Sequence, residues 1–224
     1  GALRFEGCTF NSGIQLQAEE GGALLAAFEG CHFISNEASV YAAWVSDGIV
    51  GFNECTFKGT RGLKIHEDYG SEVVAVLIEN CEFGPIAKKP GIAIGTLNAD
   101  TEVYISDSKF IDCQAGDQGL FIYETDTDVT TFTFVCQNNF VVPVGDEPYV
   151  QEDGTITVAT SQALKTALST ATAGDEIVLV PGTYKMETYK AGVKIEGTDK
   201  ESVIVDVKGA KFGVDGDVNI ENVT

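Results

Sequence analysis

The densest group of ionisable side chains in the sequence lies near residue 64 and contains Arg61, Lys64, His66, Glu67 and Asp68. A polysaccharide lyase removes a proton next to a uronate carboxylate, which requires a basic side chain and a cation that neutralises the carboxylate. Lys64 or His66 could act as the base and Arg61 as the neutralising group. Glu67 and Asp68 offer the oxygen ligands that Ca²⁺ prefers. Lyase chemistry is therefore one hypothesis for this segment.

The same residues also fit a structural role. Leu63 and Ile65 alternate with Lys64 and His66, so a β-strand would place the two basic residues on its outer face. Charged side chains belong on such a face whether or not they bind a ligand. Both interpretations stay open, and the sequence indicates no required cofactor, although calcium is compatible with Glu67 and Asp68.

Aromatic and amide side chains accompany Lys64 and His66. Five related segments alternate in the same way, which predicts two outward columns that run Gln15, Tyr41, Lys64, Ala93, Phe121 and Gln17, Ala43, His66, Gly95, Tyr123, with Trp44 at their edge. Aromatic rings stack on the apolar face of a sugar, and polar tips bind its hydroxyls. We therefore predict a carbohydrate-binding surface made of Gln15, Gln17, Tyr41, Trp44, Lys64, His66, Phe121 and Tyr123. Aromatic residues also favour strands without any ligand.

These segments belong to a repeat that contains an apolar residue, two mostly polar residues, a small residue that is usually Cys, any residue and Phe. Ile78-Glu79-Asn80-Cys81-Glu82-Phe83 is one copy, and the closing Phe falls at 10, 33, 57, 83, 110 and 140. A drifting period of this size is typical of a solenoid in which each repeat forms one turn. With two or three short strands per repeat and no long helix signal in residues 1–140, it predicts a parallel β-helix.

The cysteines recur at one position of this repeat, at Cys8, Cys31, Cys55 and Cys81, and Ser108 and Asn138 are expected to take the same position later. In a solenoid these residues would stack about 4.8 Å apart. Free Cys behaves as a small buried hydrophobe. We interpret the series as core packing, in preference to disulfides or a metal site.

The formal net charge of −20 disfavours two classes of partner. Phosphate binding needs a basic surface, so a nucleic-acid partner is not expected, and anionic membranes are disfavoured for the same reason. No apolar run of about 18 residues is present, so no membrane insertion is expected. The acidity fits solubility in the medium or on a cell surface, and clustered carboxylates that bind cations are an alternative.

The pattern changes after residue 140. Residues 141–154 contain prolines, glycines and acids and predict a linker. Thr160 or Ser161 can cap a helix over residues 161–170, with Ala163, Leu164, Ala167 and Leu168 on one apolar face. Residues 155–224 then continue with short strands.

The residues that follow the linker carry a resemblance. SQALKTAL at 161–168, AGDEIVLVPGTY at 173–184 and VKIEGT at 193–198 resemble the opening of pectate-lyase-like right-handed β-helices, among them chondroitinase-B-like and Bacteroidetes surface proteins. The resemblance covers about 45 residues tightly. It implies a right-handed helix in which α-helix 161–170 plugs one end of the stack, and a polysaccharide groove along a sheet. The plug should come first, but here it follows six repeats.

The broken repeat at 220–224 suggests a further role for the chain ends. An unfinished turn near Thr224 and another near Gly1 would each expose strand edges. We expect one end to dock on the other, within one chain or head to tail between copies.

The sequence therefore predicts an all-β, right-handed parallel β-helix with one short helix late in the chain: β-helix turns in 1–140, a linker in 141–154 and a capping segment in 155–224. The leading functional hypothesis is a secreted or bacterial cell-surface module that binds a polysaccharide or cell-surface glycan without cleaving it. A lyase that uses Lys64 and His66 is the first alternative. A structural fibre built by end-to-end stacking is the second.

Overall fold

The computed structural model describes residues 2–18, 23–67, 71–86, 90–111, 113, 121–123, 132–143, 145–209 and 217–224, with only the backbone of 121–123. The chain is mostly β and forms a parallel β-solenoid of about 7 turns with one short helix, α1 (Ser161–Thr170), which confirms the predicted fold class. It divides into two units, Gly1–Phe140 and Val141–Thr224. No helix in the described ranges is long and apolar enough to cross a membrane.

Three parallel sheets build the first unit, and successive repeats add a strand to each. Sheet A contains, in spatial order, β1 (Ala2–Glu6), β4 (Leu25–Glu29), β7 (Gly48–Asn53), β10 (Val73–Glu79), β13 (Glu102–Ser106) and β16 (Thr133–Gln137). Sheet B contains β2 (Thr9–Phe10), β5 (His32–Ser35), β8 (Thr56–Gly59), β11 (Glu82–Ile86) and β14 (Lys109–Ile111). In the sixth repeat, β17 (Phe140–Val142) follows β16 in the chain. Sheet C contains β3 (Ile14–Leu16), β6 (Ala43–Val45), β9 (Leu63–Ile65), β12 (Ile92–Ile94) and β15 (Phe121–Tyr123).

A sharp turn with one left-handed residue joins sheet A to sheet B in each repeat. The left-handed residue is the second polar residue of the repeat, and φ lies between 51° and 58° at Gly7, Gly30, Glu54, Asn80, Asp107 and Asn138. Gly, Asn and Asp tolerate this conformation better than other residues. The polar residues of the repeat therefore set the corner between the two sheets.

Stacked rings fill the corner behind this turn. Phe10, Phe33, Phe57, Phe83 and Phe110 form one row, with successive ring centroids 4.7 to 5.0 Å apart. Phe5, Phe28 and Phe52 form a second row, which meets the first edge to face. Offset and edge-to-face pairs of this kind stabilise a core beyond the area that they bury. The repeated Phe is thus the main core residue of each turn.

The cysteines lie beside these rings as free thiols, and Cys31, Cys55 and Cys81 are buried. Each of these three thiols donates to a backbone carbonyl of the preceding turn, as Cys55 Sγ does to the Phe28 oxygen at 3.5 Å. The prediction of a packing role is therefore confirmed for these residues.

The last repeat of the first unit is shifted by one residue from its predicted alignment. Asn139, and not Asn138, takes the Cys position: its amide accepts a hydrogen bond from Ser108 N–H at 3.0 Å and donates to the Ile105 oxygen at 3.1 Å. Asn138 is instead the left-handed turn residue. The two adjacent asparagines allow either alignment in the sequence, and only the turn geometry separates them.

The second unit combines α1 with two small sheets. One sheet contains β18 (Tyr149–Val150), β19 (Ile156–Val158), β20 (Glu176–Leu179), β22 (Lys194–Gly197) and β24 (Asn219–Glu221), of which only β18 is antiparallel to its neighbour. The other sheet pairs β21 (Gly182–Lys185) with β23 (Val203–Asp206).

Helix α1 begins as predicted, because the Thr160 hydroxyl accepts a hydrogen bond from Ala163 N–H at 3.0 Å. Its four predicted apolar residues, Ala163, Leu164, Ala167 and Leu168, are buried. The segment expected to be a linker, residues 141–154, contains β18 and the buried side chain of Gln151, whose amide bonds to the Val141 backbone and to the Thr157 hydroxyl.

Candidate functional site

A groove of about 480 Å³ lies over sheet C, on the outer side of β3, β6 and β9. Tyr41, Trp44, Arg61 and Lys64 line it together with Gln15. We call these five residues the cation–aromatic groove. All five stood in the predicted carbohydrate-binding or catalytic sets, so the fold brings together residues that are up to 49 positions apart in the chain.

Strand register explains how three of them meet. Gln15, Trp44 and Lys64 occupy paired central positions of β3, β6 and β9. Each has buried or half-buried apolar neighbours on both sides along its strand, so its own side chain points outward. Tyr41 and Arg61 precede β6 and β9 and approach from the same edge.

The cations lie against the aromatic rings. The Arg61 guanidinium carbon is 4.9 Å from the centre of the Tyr41 ring, and Lys64 Nζ is 4.6 Å from that of Trp44 and 5.8 Å from that of Tyr41. Such cation–π pairs contribute about 0.5–1 kcal/mol at exposed sites. Two positive charges are thus held against aromatic rings on a protein whose net charge is −20.

Backbone hydrogen bonds fix two of the side chains. Arg61 Nε donates to the Ala38 oxygen at 2.6 Å, and Trp44 Nε1 donates to the His66 oxygen at 3.0 Å. Because these bonds restrict the rotamers of Arg61 and Trp44, the groove is already formed without a ligand, which lowers the entropic cost of binding.

His66 is held by a backbone amide. Its Nδ1 atom accepts a hydrogen bond from Thr96 N–H at 3.0 Å, and its ring centre lies 6.3 Å from that of Trp44. An accepting Nδ1 leaves the proton of the neutral imidazole on Nε2. The lone pair of Nδ1 is therefore engaged by the backbone and does not serve as a general base in this arrangement.

The predicted outward columns are wrong in the phase of one strand, β6. There Ala43 and Val45 are buried, and Trp44 takes the outward position predicted for Tyr41. A shift of one residue exchanges the two faces of a strand. Residues 41–45 carry no charged or amide side chain, so alternation could not fix the phase.

The side chains of Phe121 and Tyr123 lie outside the described part of the structure, so their predicted place in a sugar-binding surface stays a prediction. Gln17 contacts Gln15, because its side-chain Oε1 accepts a hydrogen bond from Gln15 Nε2 at 3.3 Å. Ser39 and Val40 line the groove beside Tyr41. The alternation pattern predicts both within the strand, with Val40 on its inner face, but both residues precede β6.

The proposed calcium ligands are only partly described. Glu67 Oε1 accepts hydrogen bonds from Val73 N–H at 3.0 Å and Asn98 N–H at 3.3 Å. Asp68 lies outside the described residues. Within the described ranges, no group of three or more His, Cys, Asp or Glu side chains is arranged to hold a metal ion.

Two of the buried thiols, Cys31 and Cys81, are poor nucleophiles. Burial raises the pKa of Cys31, and the pKa of Cys81 is raised first by its hydrogen bond with Cys55 and then by burial. The thiolate is the reactive form of cysteine. A site that depends on these two thiols is therefore disfavoured.

The arrangement of the cation–aromatic groove suits binding of an anionic group better than proton abstraction. A base must present its lone pair to the substrate proton, whereas Lys64 Nζ lies over the rings of Trp44 and Tyr41. Arg61 can bind a carboxylate or sulfate through paired N–H donors. Gln15 offers an amide for hydroxyl groups at the groove margin.

Comparison of the chain with family models, with curated proteins and with solved structures finds no match.

Proposed function

We propose that this chain is a β-solenoid module, secreted or on a bacterial cell surface, that binds a glycan without cleaving it. One observation carries the proposal: Arg61 and Lys64 are held against Tyr41 and Trp44 in a preformed groove on an outer sheet face. Preformed concave sites with aromatic walls and a few oriented polar groups are typical of ligand-binding sites.

The charges favour an acidic sugar over a neutral one. Arg61 and Lys64 both line the groove, and each can bind a carboxylate or sulfate, although the chain as a whole is acidic. Exposed charges beyond about 8 Å are largely screened at physiological ionic strength. Cations that line the groove therefore act on a bound anion more strongly than charges beyond that distance.

The resemblance to pectate-lyase-like proteins supports a polysaccharide ligand and makes lyase activity the second candidate. In that case Lys64 would have to lose its proton on binding, with Arg61 facing the uronate carboxylate. The hydrogen bond from Thr96 N–H engages the lone pair of His66 Nδ1, which supports binding without catalysis. End-to-end self-association of the chain stays a prediction from the sequence.

The test is isothermal titration calorimetry with trigalacturonate and with the methyl ester of the same trisaccharide. We expect the acid to bind more tightly than the ester, because only the acid can pair with Arg61 and Lys64. The variant Lys64→Ala should weaken binding of the acid about tenfold or more, since a hydrogen bond to a charged group contributes about 1.5–3 kcal/mol. Trp44→Ala should also weaken it, because it removes the ring that lies against Lys64 and can stack on a sugar.

Two matched variants outside the groove serve as controls. Lys58→Ala removes a lysine that pairs with Glu82 at 3.3 Å on sheet B, and Tyr104→Ala removes a half-buried aromatic residue of sheet A. Neither should change the affinity. Equal affinity for acid and ester, or equal losses in Lys58→Ala and Lys64→Ala, would overturn the proposed groove.

The same samples separate the lyase alternative. Cleavage by β-elimination creates an unsaturated product that absorbs ultraviolet light. The binding proposal expects no such product from polygalacturonate. Product formation that is lost in both Lys64→Ala and His66→Ala would replace binding with catalysis as the function.

A further inference from the structure

The outer face of sheet A carries exposed aliphatic side chains where a solvated sheet would carry polar ones. The relative exposures are 48% for Leu25, 39% for Ile49, 45% for Val74 and 47% for Leu77. Register places Leu25 beside Ile49 on β4 and β7, while a bulge in β10 turns Val74 outward. We call these four residues the aliphatic patch.

Small residues make the surface between them flat. Gly51 of β7 pairs with Ala27 of β4 on one side and with Leu77 of β10 on the other, and Ala75 pairs with Ile49. A Cβ atom added to Gly51 would meet nothing within 4 Å. The aliphatic patch is therefore an open, shallow face, and not the mouth of a pocket.

Acidic side chains surround this face. Glu29 and Glu79 end β4 and β10, Glu72 precedes β10, and Glu102 lies in β13 beside Ala75. All four are exposed. Arg4 is the one basic residue in the six strands of sheet A, and it pairs with Glu6 at 2.6 Å.

Contiguous exposed apolar surface of this kind marks interaction sites. The charge pattern decides between partners. A second copy would bring acidic rim against acidic rim on chains of net charge −20, and an anionic membrane would be repelled in the same way. A partner with aliphatic side chains between basic ones complements both the patch and its rim.

The dimensions of the patch indicate the shape of that partner. Leu25 and Leu77 lie on strands two steps apart, or about 10 Å, which matches the diameter of one α-helix, about 10–12 Å. We propose that the aliphatic patch is a docking surface for a basic amphipathic helix of a partner protein. The helix lays its aliphatic stripe on Leu25, Ile49 and Leu77, and its lysines or arginines face Glu29, Glu72 and Glu79.

The experiment uses a fluorescein-labelled 18-residue peptide of Leu, Ala and Lys with one leucine stripe, and a peptide of the same composition without the stripe. Anisotropy measured with the full chain should show saturable binding of the striped peptide and at least about fivefold weaker binding of the scrambled one, since both carry the same charge. Leu77→Gln and Ile49→Gln should each weaken the striped peptide about tenfold. Glu79→Gln should weaken it less, and that loss should shrink at high salt.

Ile204→Gln is the matched control, because Ile204 is 43% exposed on β23 of the other unit. It should leave peptide affinity unchanged. Equal affinity of both peptides, or an equal loss in Ile204→Gln and Leu77→Gln, would show charge attraction alone and overturn the proposal. Sedimentation that shows a dimer of the wild type and a monomer of Leu77→Gln would assign the aliphatic patch to a second copy of the chain. That result would overturn the proposal as well.

Discussion

The substitution Phe57→Ala tests the stacked-ring core most directly. Phe57 is fully buried, and its ring stacks on Phe33 at 4.8 Å and on Phe83 at 4.7 Å, with Phe52 edge to face at 5.3 Å. Removal of the ring leaves a cavity between two turns that the backbone ladders prevent from closing. We expect a loss of about 4 kcal/mol in the free energy of unfolding of the first unit.

Phe5→Ala provides the comparison within the same core. Phe5 is half-buried and stacks on Phe28 alone, at 5.0 Å, with Phe10 edge to face. Its removal opens less cavity, so the loss should be about half as large, about 2 kcal/mol. The difference between the two variants depends on stacking position and not on residue type.

The assay is urea unfolding followed by circular dichroism, with the unit assigned by hydrogen exchange because two units need not unfold together. Equal losses for Phe5→Ala and Phe57→Ala would refute the reasoning. A loss below about 1.5 kcal/mol for Phe57→Ala would also refute it, because it would mean that the neighbouring turns close the cavity left by the ring.

Three further predictions concern other parts of the fold. Alkylation by iodoacetamide at pH 8 should label half-buried Cys8 well before Cys31, Cys55 and Cys81, because burial shields the last three; peptide mass spectrometry that finds equal labelling of all four would contradict the packing role. Gly59→Ala should cost more than about 2 kcal/mol, since φ is +112° and the added Cβ would overlap the Ser35 carbonyl oxygen, whereas Gly51→Ala should be nearly neutral in the same urea assay. The hydrogen bond from Lys194, followed by that from Asn222, holds the pKa of Glu196 below its usual value. A lowered pKa in the folded state stabilises that state at pH values above the unfolded pKa of about 4.3, and the effect is lost as the pH falls through the folded pKa. The urea midpoints of the wild type and Glu196→Gln should therefore converge between about pH 5 and about pH 3. A constant gap between the two midpoints would contradict the assignment.

The repeat unit carried enough signal to predict the fold. In Phe52-Asn53-Glu54-Cys55-Thr56-Phe57, the apolar, small and aromatic positions all face the core, and copies of this unit recur along 140 residues. A pattern that repeats six times specifies a stack even when single copies drift. The Thr160 cap and the apolar face of α1 were predictable for a similar reason, since each rests on local chemistry.

Strand phase was harder to predict where a segment lacks polar residues. Tyr41 to Val45 contains no charged or amide side chain, so the sequence could not show that Trp44 and not Tyr41 faces outward in β6. The two residues nevertheless reach the same groove, because Tyr41 lies in the turn that precedes β6. The aliphatic patch escaped prediction because an exposed Leu77 and a buried Ile78 differ only in phase, and the bulge at Val74 changes that phase within β10.

The most direct test of the glycan-binding proposal uses the fluorescence of Trp44, because the chain contains one tryptophan and it lies in the cation–aromatic groove. We predict that trigalacturonate changes its emission in a saturable way, with the midpoint that calorimetry gives, and that Lys64→Ala shifts this midpoint at least about tenfold. The methyl ester should produce a much weaker change. Calorimetric binding of trigalacturonate with no change in Trp44 emission, or an unshifted midpoint in Lys64→Ala, would show that the glycan binds elsewhere and would contradict the account.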